Sequence, residues 1–264
     1  MRAFVFFSLG LTVLTTGALA ATPTKPPPRS LSLGGAESGT AARYENCLRL
    51  TAQDPLQAHE TARTWAEQGG GMAARHCAAV AMIRYGRPEY AAPDLEALAA
   101  EAAAKRPDLA PDLYAQAAQA WLLARDATRA LPLQSEALKR RPRDVDFLID
   151  RAIIRLALKQ SWEAIDDLNS ALELAPRRAD ALVYRASAYR LLGTADLAEE
   201  DVARALTQRP NAPDALAERG AVKALKGDKP GARADWLRVL SLDPESAAGD
   251  QARAGLESID VKKP

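Results

Sequence analysis

Histidine, cysteine and aromatic side chains are scarce in this chain: two histidines, two cysteines and 5% aromatic residues among 264 positions. With His59 and His76 as its only imidazoles, neither in a nucleophile motif, the chain offers little to acid–base or nucleophilic catalysis. No Gly-x-Gly-x-x-Gly or phosphate-binding loop occurs, and Gly69-Gly70-Gly71 is read as a helix break. An excess of one charge is lacking too. The 35 basic and 34 acidic residues leave a formal net charge of +1, without the basic surplus that nucleic-acid binding needs. Beyond Ala20 no apolar run is long enough to span a bilayer. These absences point away from an enzyme and from a cofactor or nucleic-acid binder.

Met1-Arg2, the apolar run from Ala3 to Leu14, and Gly17-Ala18-Leu19-Ala20 are the three parts of a secretory signal peptide over 1–20. The competing reading, an uncleaved anchor, is weakened by Gly10, Gly17 and the serine and threonines of the run. No cysteine follows Ala20, so no lipid attachment is expected there. The chain is read as exported: periplasmic if its source is a Gram-negative bacterium, otherwise secreted, with no stable membrane insertion after cleavage. Residues 21–40 carry Pro23, Pro26, Pro27 and Pro28, then Gly34, Gly35 and Gly39, and are expected to form a flexible linker.

What the chain does have is alanine, which makes up much of its 48% hydrophobic content. Alanine has the best intrinsic helix propensity and lets helices approach closely, which favours an all-helical protein. Pro176, Pro210 and Pro244 are 34 residues apart, as are Ala164, Ala198 and Ala232, and as are Leu148, Leu182 and Leu216. Such a period indicates stacked supersecondary units, none able to bury its apolar face alone. The register predicts helical pairs over 111–144, 145–178, 179–212 and 213–246, with turns at Lys159-Gln160, Gly193-Thr194 and Gly227-Asp228. A polar-faced helix over 246–258 is expected to cap the stack. Residues 41–107 follow the register loosely. They predict two degenerate pairs, 41–52 with 55–68 and 72–85 with 93–105.

Over 145–246 these columns resemble the tetratricopeptide repeat, a helix–turn–helix unit of the same length. Its small positions are met by Ala152, Ala186 and Gly220, by Ala164, Ala198 and Ala232, and by Ala171 and Ala205. Its large position is Leu168, Val202 or Trp236, and its tyrosine is Tyr189. Arg155 and Lys223 depart from that tyrosine, and Val239 replaces an alanine. The resemblance implies an all-α, right-handed helix–turn–helix solenoid whose first helices line a concave groove. It also implies that the groove binds another protein or peptide segment, with no cofactor and no metal. By matching positions the groove is expected to present Asp146, Ile149, Ile153 and Leu156, then Asp180, Val183, Ser187 and Arg190. The lysine and asparagine set with which some relatives clamp a peptide carboxylate is absent. The alternative role is a structural subunit of a cell-envelope complex, packing through the convex face or the terminal helix.

Three further patterns carry expectations. Arg151, Arg185 and Arg219 each precede an aspartate, Asp167, Asp201 and Asp235, by 16 residues; at the matching places in 111–144 stand Ala117 and Leu133, so both charges vanish together. Joint loss suggests a guanidinium–carboxylate contact between the two helices of a unit, the other reading being arginines that face a ligand. Asp112, Asp146, Asp180 and Asp214 recur at the start of the first helices, where they either form an acidic ladder or simply complement the helix dipole. Cys47 and Cys77 form an even pair in an exported chain, which invites a disulfide; two buried thiols, or a metal site with His59 and His76, are the other readings.

Overall fold

A computed structural model describes residues 38–260. They fold into helices alone: α1 (Ser38–Gln53), α2 (Pro55–Trp65), α3 (Gly71–Arg84), α4 (Pro88–Lys105), α5 (Ala110–Leu123), α6 (Ala127–Arg140) and α7 (Val145–Ala157). There follow α8 (Ser161–Leu174), α9 (Ala179–Leu191), α10 (Ala195–Gln208), α11 (Pro213–Leu225), α12 (Lys229–Leu242) and α13 (Ala247–Asp260). The expected signal peptide lies outside the described residues, as does most of the linker. Residues 38–40 of that linker already belong to α1. No helix among the described residues is long and apolar enough to cross a membrane.

Short turns fold consecutive helices into six antiparallel pairs, α1 with α2 through α11 with α12, and α13 packs on both α11 and α12. One backbone device makes the intra-pair reversal five times, first at Gly86 with φ 79°, where Arg87 N–H reaches Met82 O at 2.9 Å. Arg125, Lys159, Gly193 and Gly227 take φ of 64°, 61°, 78° and 86°. The following amide then reaches back to the last turn of the first helix: Asp126 to Trp121 O at 2.8 Å, Gln160 to Arg155 O at 2.8 Å, Thr194 to Tyr189 O at 2.9 Å and Asp228 to Lys223 O at 2.9 Å. Left-handed residues of this kind satisfy the carbonyls a helix leaves unpaired at its end. Aspartates start several helices. Asp54 accepts from Gln57 N–H at 3.0 Å, Asp126 from Arg129 N–H at 3.0 Å, and Asp228 from Gly231 N–H at 2.9 Å.

The small residues let the pairs close. Ala152, Ala164, Ala171, Ala186, Ala198, Ala205 and Ala232 are fully buried. At the end of the stack Gly220 is smaller still, because the Trp236 indole lies where a Cβ would stand, 2.5 Å from its Nε1. Trp236 also lies against Gly255 of α13 and donates to Ala217 O at 3.1 Å. The capping helix is therefore seated on that indole.

Successive first helices from α5 to α13 touch one another, whereas the second helices make less contact along the stack. The first helices therefore form the inner side of the curve. Apolar side chains from Tyr44 to Leu133 form one cluster with Ile154, and those from Ala137 to Ala252 form another, so the two cores meet between α6 and α7.

Two boundaries differ from expectation. Helix α4 begins at Pro88, not at Pro93, because Pro88 itself occupies the first helical position and Pro93 forgoes only one hydrogen bond inside the helix. Helix α2 ends at Trp65, short of residue 68. The chain then widens into a π-type turn over Ala66–Gly70, with Gly69 at φ 90°.

Candidate functional site

The recurring arginines and aspartates sit between the helices of each pair. Arg151 Nε and Nη2 donate to Asp167 at 2.9 and 2.6 Å; Arg185 does the same to Asp201 at 2.7 and 2.7 Å, and Arg219 to Asp235 at 2.9 and 2.6 Å. These guanidiniums are engaged between the two helices of a repeat. All three aspartates are buried, and each has a second cation: Arg155 at 2.6 Å from Asp167, Arg204 at 3.2 Å from Asp201, Lys223 at 2.8 Å from Asp235. Arg155 and Lys223 are the two departures from the family's tyrosine, and the structure gives them a purpose. Where Tyr189 is kept, the Arg185 guanidinium lies over its ring at 5.9 Å and Arg204 supplies the second charge. Burial pushes the Asp235 carboxyl up, but hydrogen bonds from Arg219 and Lys223 more than offset this and hold it below the usual carboxylate range.

The groove differs from the expectation based on position. Ile149, Leu156, Val183 and Ser187 are buried, while Ile153 and Arg190 are half-buried. Adjacent first helices approach closely enough that flank positions expected to face a ligand are filled by the neighbouring unit. Arg190 is spent as well. Its Nε donates to Glu218 Oε1 at 2.6 Å, a carboxylate itself only 3% exposed, and its Nη2 to Ser187 Oγ at 3.3 Å. Nor is the aspartate row a free ladder. Arg141 pairs with Asp112; Arg178 bridges Asp146 at 3.0 Å and Asp180 at 2.7 Å; Arg209 reaches Asp214 at 3.2 Å. Burial, with the charges of Asp214, Asp180 and Asp150 after it, pushes the Tyr184 phenol far up, so this hydroxyl stays protonated among the carboxylates.

At the irregular end, Cys47 of α1 and Cys77 of α3 form a disulfide with a Cα–Cα distance of 6.2 Å. Beside it runs a buried polar chain across three first helices. Tyr44 O–H donates to His76 Nδ1 at 2.7 Å, and His76 Nε2–H donates to Gln116 Oε1 at 2.5 Å. Burial lowers the His76 pKa to about 4, so the ring is neutral and both its nitrogens are occupied. His59 Nδ1–H donates to Ala78 O at 3.1 Å.

Exposed apolar side chains gather on one edge. Leu56, Tyr90, Trp162 and Leu197 stand in the first turn of second helices. Tyr85, Leu191 and Leu225 stand where first helices end. Because the first helices run parallel to one another, these seven of the nine large exposed apolar residues among the described ones share the edge formed by the intra-pair turns; Leu237 and Leu242 of α12 are the other two. The opposite edge, at the turns between pairs, carries the arginine–aspartate contacts of Arg141, Arg178 and Arg209. Both ends of the stack are polar, with Arg43, Glu45 and Arg49 exposed on α1 and Asp250, Arg253 and Glu257 on α13.

The fold defines the class: an all-α helix–turn–helix solenoid of the tetratricopeptide type. Among solved structures, the chain is similar to a thermophilic TPR protein, TTC0263 of Thermus thermophilus, at 19% identity and a TM-score of 0.58, covering 81% of this chain and 99% of that one. It is also similar to MamA residues 41 to the end from Desulfovibrio magneticus RS-1, at 21% identity and a TM-score of 0.52, over 70% and 94% of the two chains. At such identities the likeness is one of fold. No protein-family model and no curated protein sequence matches the chain.

Proposed function

We propose that this chain is an exported tetratricopeptide-type scaffold that binds another protein or peptide segment and carries out no reaction itself. The observation that supports this most is the row of exposed apolar side chains along the intra-pair edge of a solenoid whose two ends are polar. Apolar side chains collected on one edge of a rigid frame mark an interaction surface more than scattered ones do. Since Ile149 and Val183 are core residues, the contact is assigned to the groove rim and this edge, with Ile153, Leu191 and Leu225 nearest the groove.

The test is affinity capture from the exported fraction followed by mass spectrometry, comparing the natural chain with a Leu191→Asp/Leu225→Asp variant of unchanged helicity. Loss of a specific partner in the variant supports the reading, and undiminished capture moves the site elsewhere. If the natural chain recovers no specific partner, the scaffold reading fails. A second reading, a subunit of an envelope complex, draws on Trp162, Leu197 and Leu237, which lie on the outer, second helices. A stable homo-oligomer in light scattering without added ligand would favour it.

A further inference from the structure

Helices α8 and α10 each present one large apolar side chain near the turn that starts them. Trp162 is 64% exposed and Leu197 46% exposed. Neither serves the core, which α8 meets through Ala164, Ile165, Leu168 and Ala171 and α10 through Ala198, Val202 and Ala205. The other three tryptophans of the chain, Trp65, Trp121 and Trp236, are buried. Arg185 of α9 reaches Asn169 of α8 and Asp201 of α10, at 2.7 Å each, so α8 and α10 flank α9, and their first turns follow one another along the edge of the intra-pair turns.

Carboxylates surround the two side chains: Glu163 and Asp166 on α8, and Asp196, Glu199 and Glu200 on α10. The nearby cations do not balance them. Arg155 and Arg204 are committed to the buried Asp167 and Asp201. Lys226 holds Asp196 at 3.0 Å and Glu199 at 2.6 Å, Arg129 in the first turn of α6 pairs with Asp126, and Lys159 and Lys229 stand in the turns on either side. Five exposed carboxylates therefore stand around an indole and an isobutyl group, against Lys159, Lys226 and Lys229 on the adjoining turns.

We propose that this patch is a docking surface for a cationic amphipathic segment of a partner protein. Apolar residues of the segment seat on Trp162 and Leu197, while its lysines or arginines meet Glu163, Asp166 and Glu200. The proposal rests on the scaffold reading above and adds the chemistry of the partner. Charge complementarity selects that occupant. An acidic or uncharged segment would crowd or desolvate the carboxylates without compensation, and an anionic bilayer would be repelled. A cation beside the exposed indole also gains from the face of the ring.

The test uses the full chain and two synthetic helical peptides of equal length, one of leucine and lysine, the other of leucine and glutamate. Trp162 is the reporter, read as the difference between the natural chain and Trp162→Phe. The leucine–lysine peptide is expected to shift Trp162 emission, with a dissociation constant that rises with salt. A Glu163→Gln/Asp166→Asn/Glu200→Gln variant of unchanged helicity should weaken it about tenfold, the scale of three exposed ion pairs. Equal binding of the leucine–glutamate peptide, undiminished binding by the triple variant, or preferential binding to phosphatidylglycerol–phosphatidylcholine vesicles would overturn the proposal. So would no leucine–lysine binding in a chain that still captures a partner through Leu191 and Leu225, and that outcome leaves the scaffold reading standing.

Discussion

Replacing Arg185 and Asp201 together should harm the protein less than replacing either alone. Asp201 is 2% exposed and takes two hydrogen bonds from Arg185, so Arg185→Ala leaves a buried carboxylate with Arg204 alone, 3.2 Å away. The expected cost is about 3 kcal/mol, the low end for breaking a buried pair, since Arg204 remains. Asp201→Leu strands the half-buried guanidinium on Asn169 and should cost about 2 kcal/mol. The double variant reproduces what the chain already uses at Ala117 and Leu133, both buried, and so should lie within about 1 kcal/mol of the natural protein. The three values imply a coupling of several kcal/mol, well beyond the additivity error of independent sites. Urea unfolding followed by helical circular dichroism gives the cycle, and amide exchange in α9 and α10 localises it. A double variant as unstable as the sum of the two singles would refute the reasoning, because the pair would then be two independent contacts.

Lys159→Gly should stabilise the α7–α8 turn by about 0.5–1 kcal/mol, because Lys159 holds a φ of 61° where Gly193 and Gly227 stand in later units; a lower urea midpoint would count against it. Gly220→Ala should cost about 1–3 kcal/mol by driving a methyl into the Trp236 indole, visible as a shift in tryptophan emission together with earlier melting. Acid should act through His76. Its ordinary pKa of 6.5 falls to about 4 in the folded chain, so below 6.5 the unfolded state binds a proton that the folded state does not. Stability is then lost as pH drops from about 6.5 to about 4, by about 3 kcal/mol in all, and His76→Gln should flatten that slope. Asp235, with its folded pKa depressed, contributes stability above the ordinary carboxylate range that is lost as pH falls further, through its folded pKa. Reducing Cys47–Cys77 should cost about 3–4 kcal/mol on the chain-entropy view, with α1 amides exchanging first; an unchanged urea midpoint would mean that the cross-link adds nothing.

The repeat was legible because its determinants recur in register. Buried alanines, turn glycines and the arginine–aspartate pair each occupy a column, and column spacing is what a sequence displays. Roles that change residue type from unit to unit escaped that reading. Arg155 and Lys223 looked like failures of the tyrosine column until the buried aspartates beside them came into view, and the same task falls to Arg204 in the unit that keeps Tyr189. The left-handed turn likewise is glycine at Gly86, Gly193 and Gly227 but arginine or lysine at Arg125 and Lys159, so two of its five instances lack the usual residue.

Burial within the groove row also escapes column spacing: Ile149 and Val183, expected by position to face a ligand, are 3% and 7% exposed. Both side chains belong to the apolar cluster that runs on through the neighbouring units, and a column read one unit at a time does not display such contacts between units. The cations that pair with the aspartate row at the turns between units, and with Glu218, likewise come from outside any column. Arg141 and Arg209 share a register position whose middle member is Ala175, and Arg178, three residues on, bridges Asp146 and Asp180 in its place. Glu218, which receives Arg190, corresponds to Tyr184 and Asp150 in the preceding units. Carboxylates already paired with arginine offer a ligand little that water does not. Exposed leucines, tyrosines and a tryptophan at the intra-pair turns release water when covered, and that difference in desolvation is the physical ground on which the edge is proposed as the contact surface.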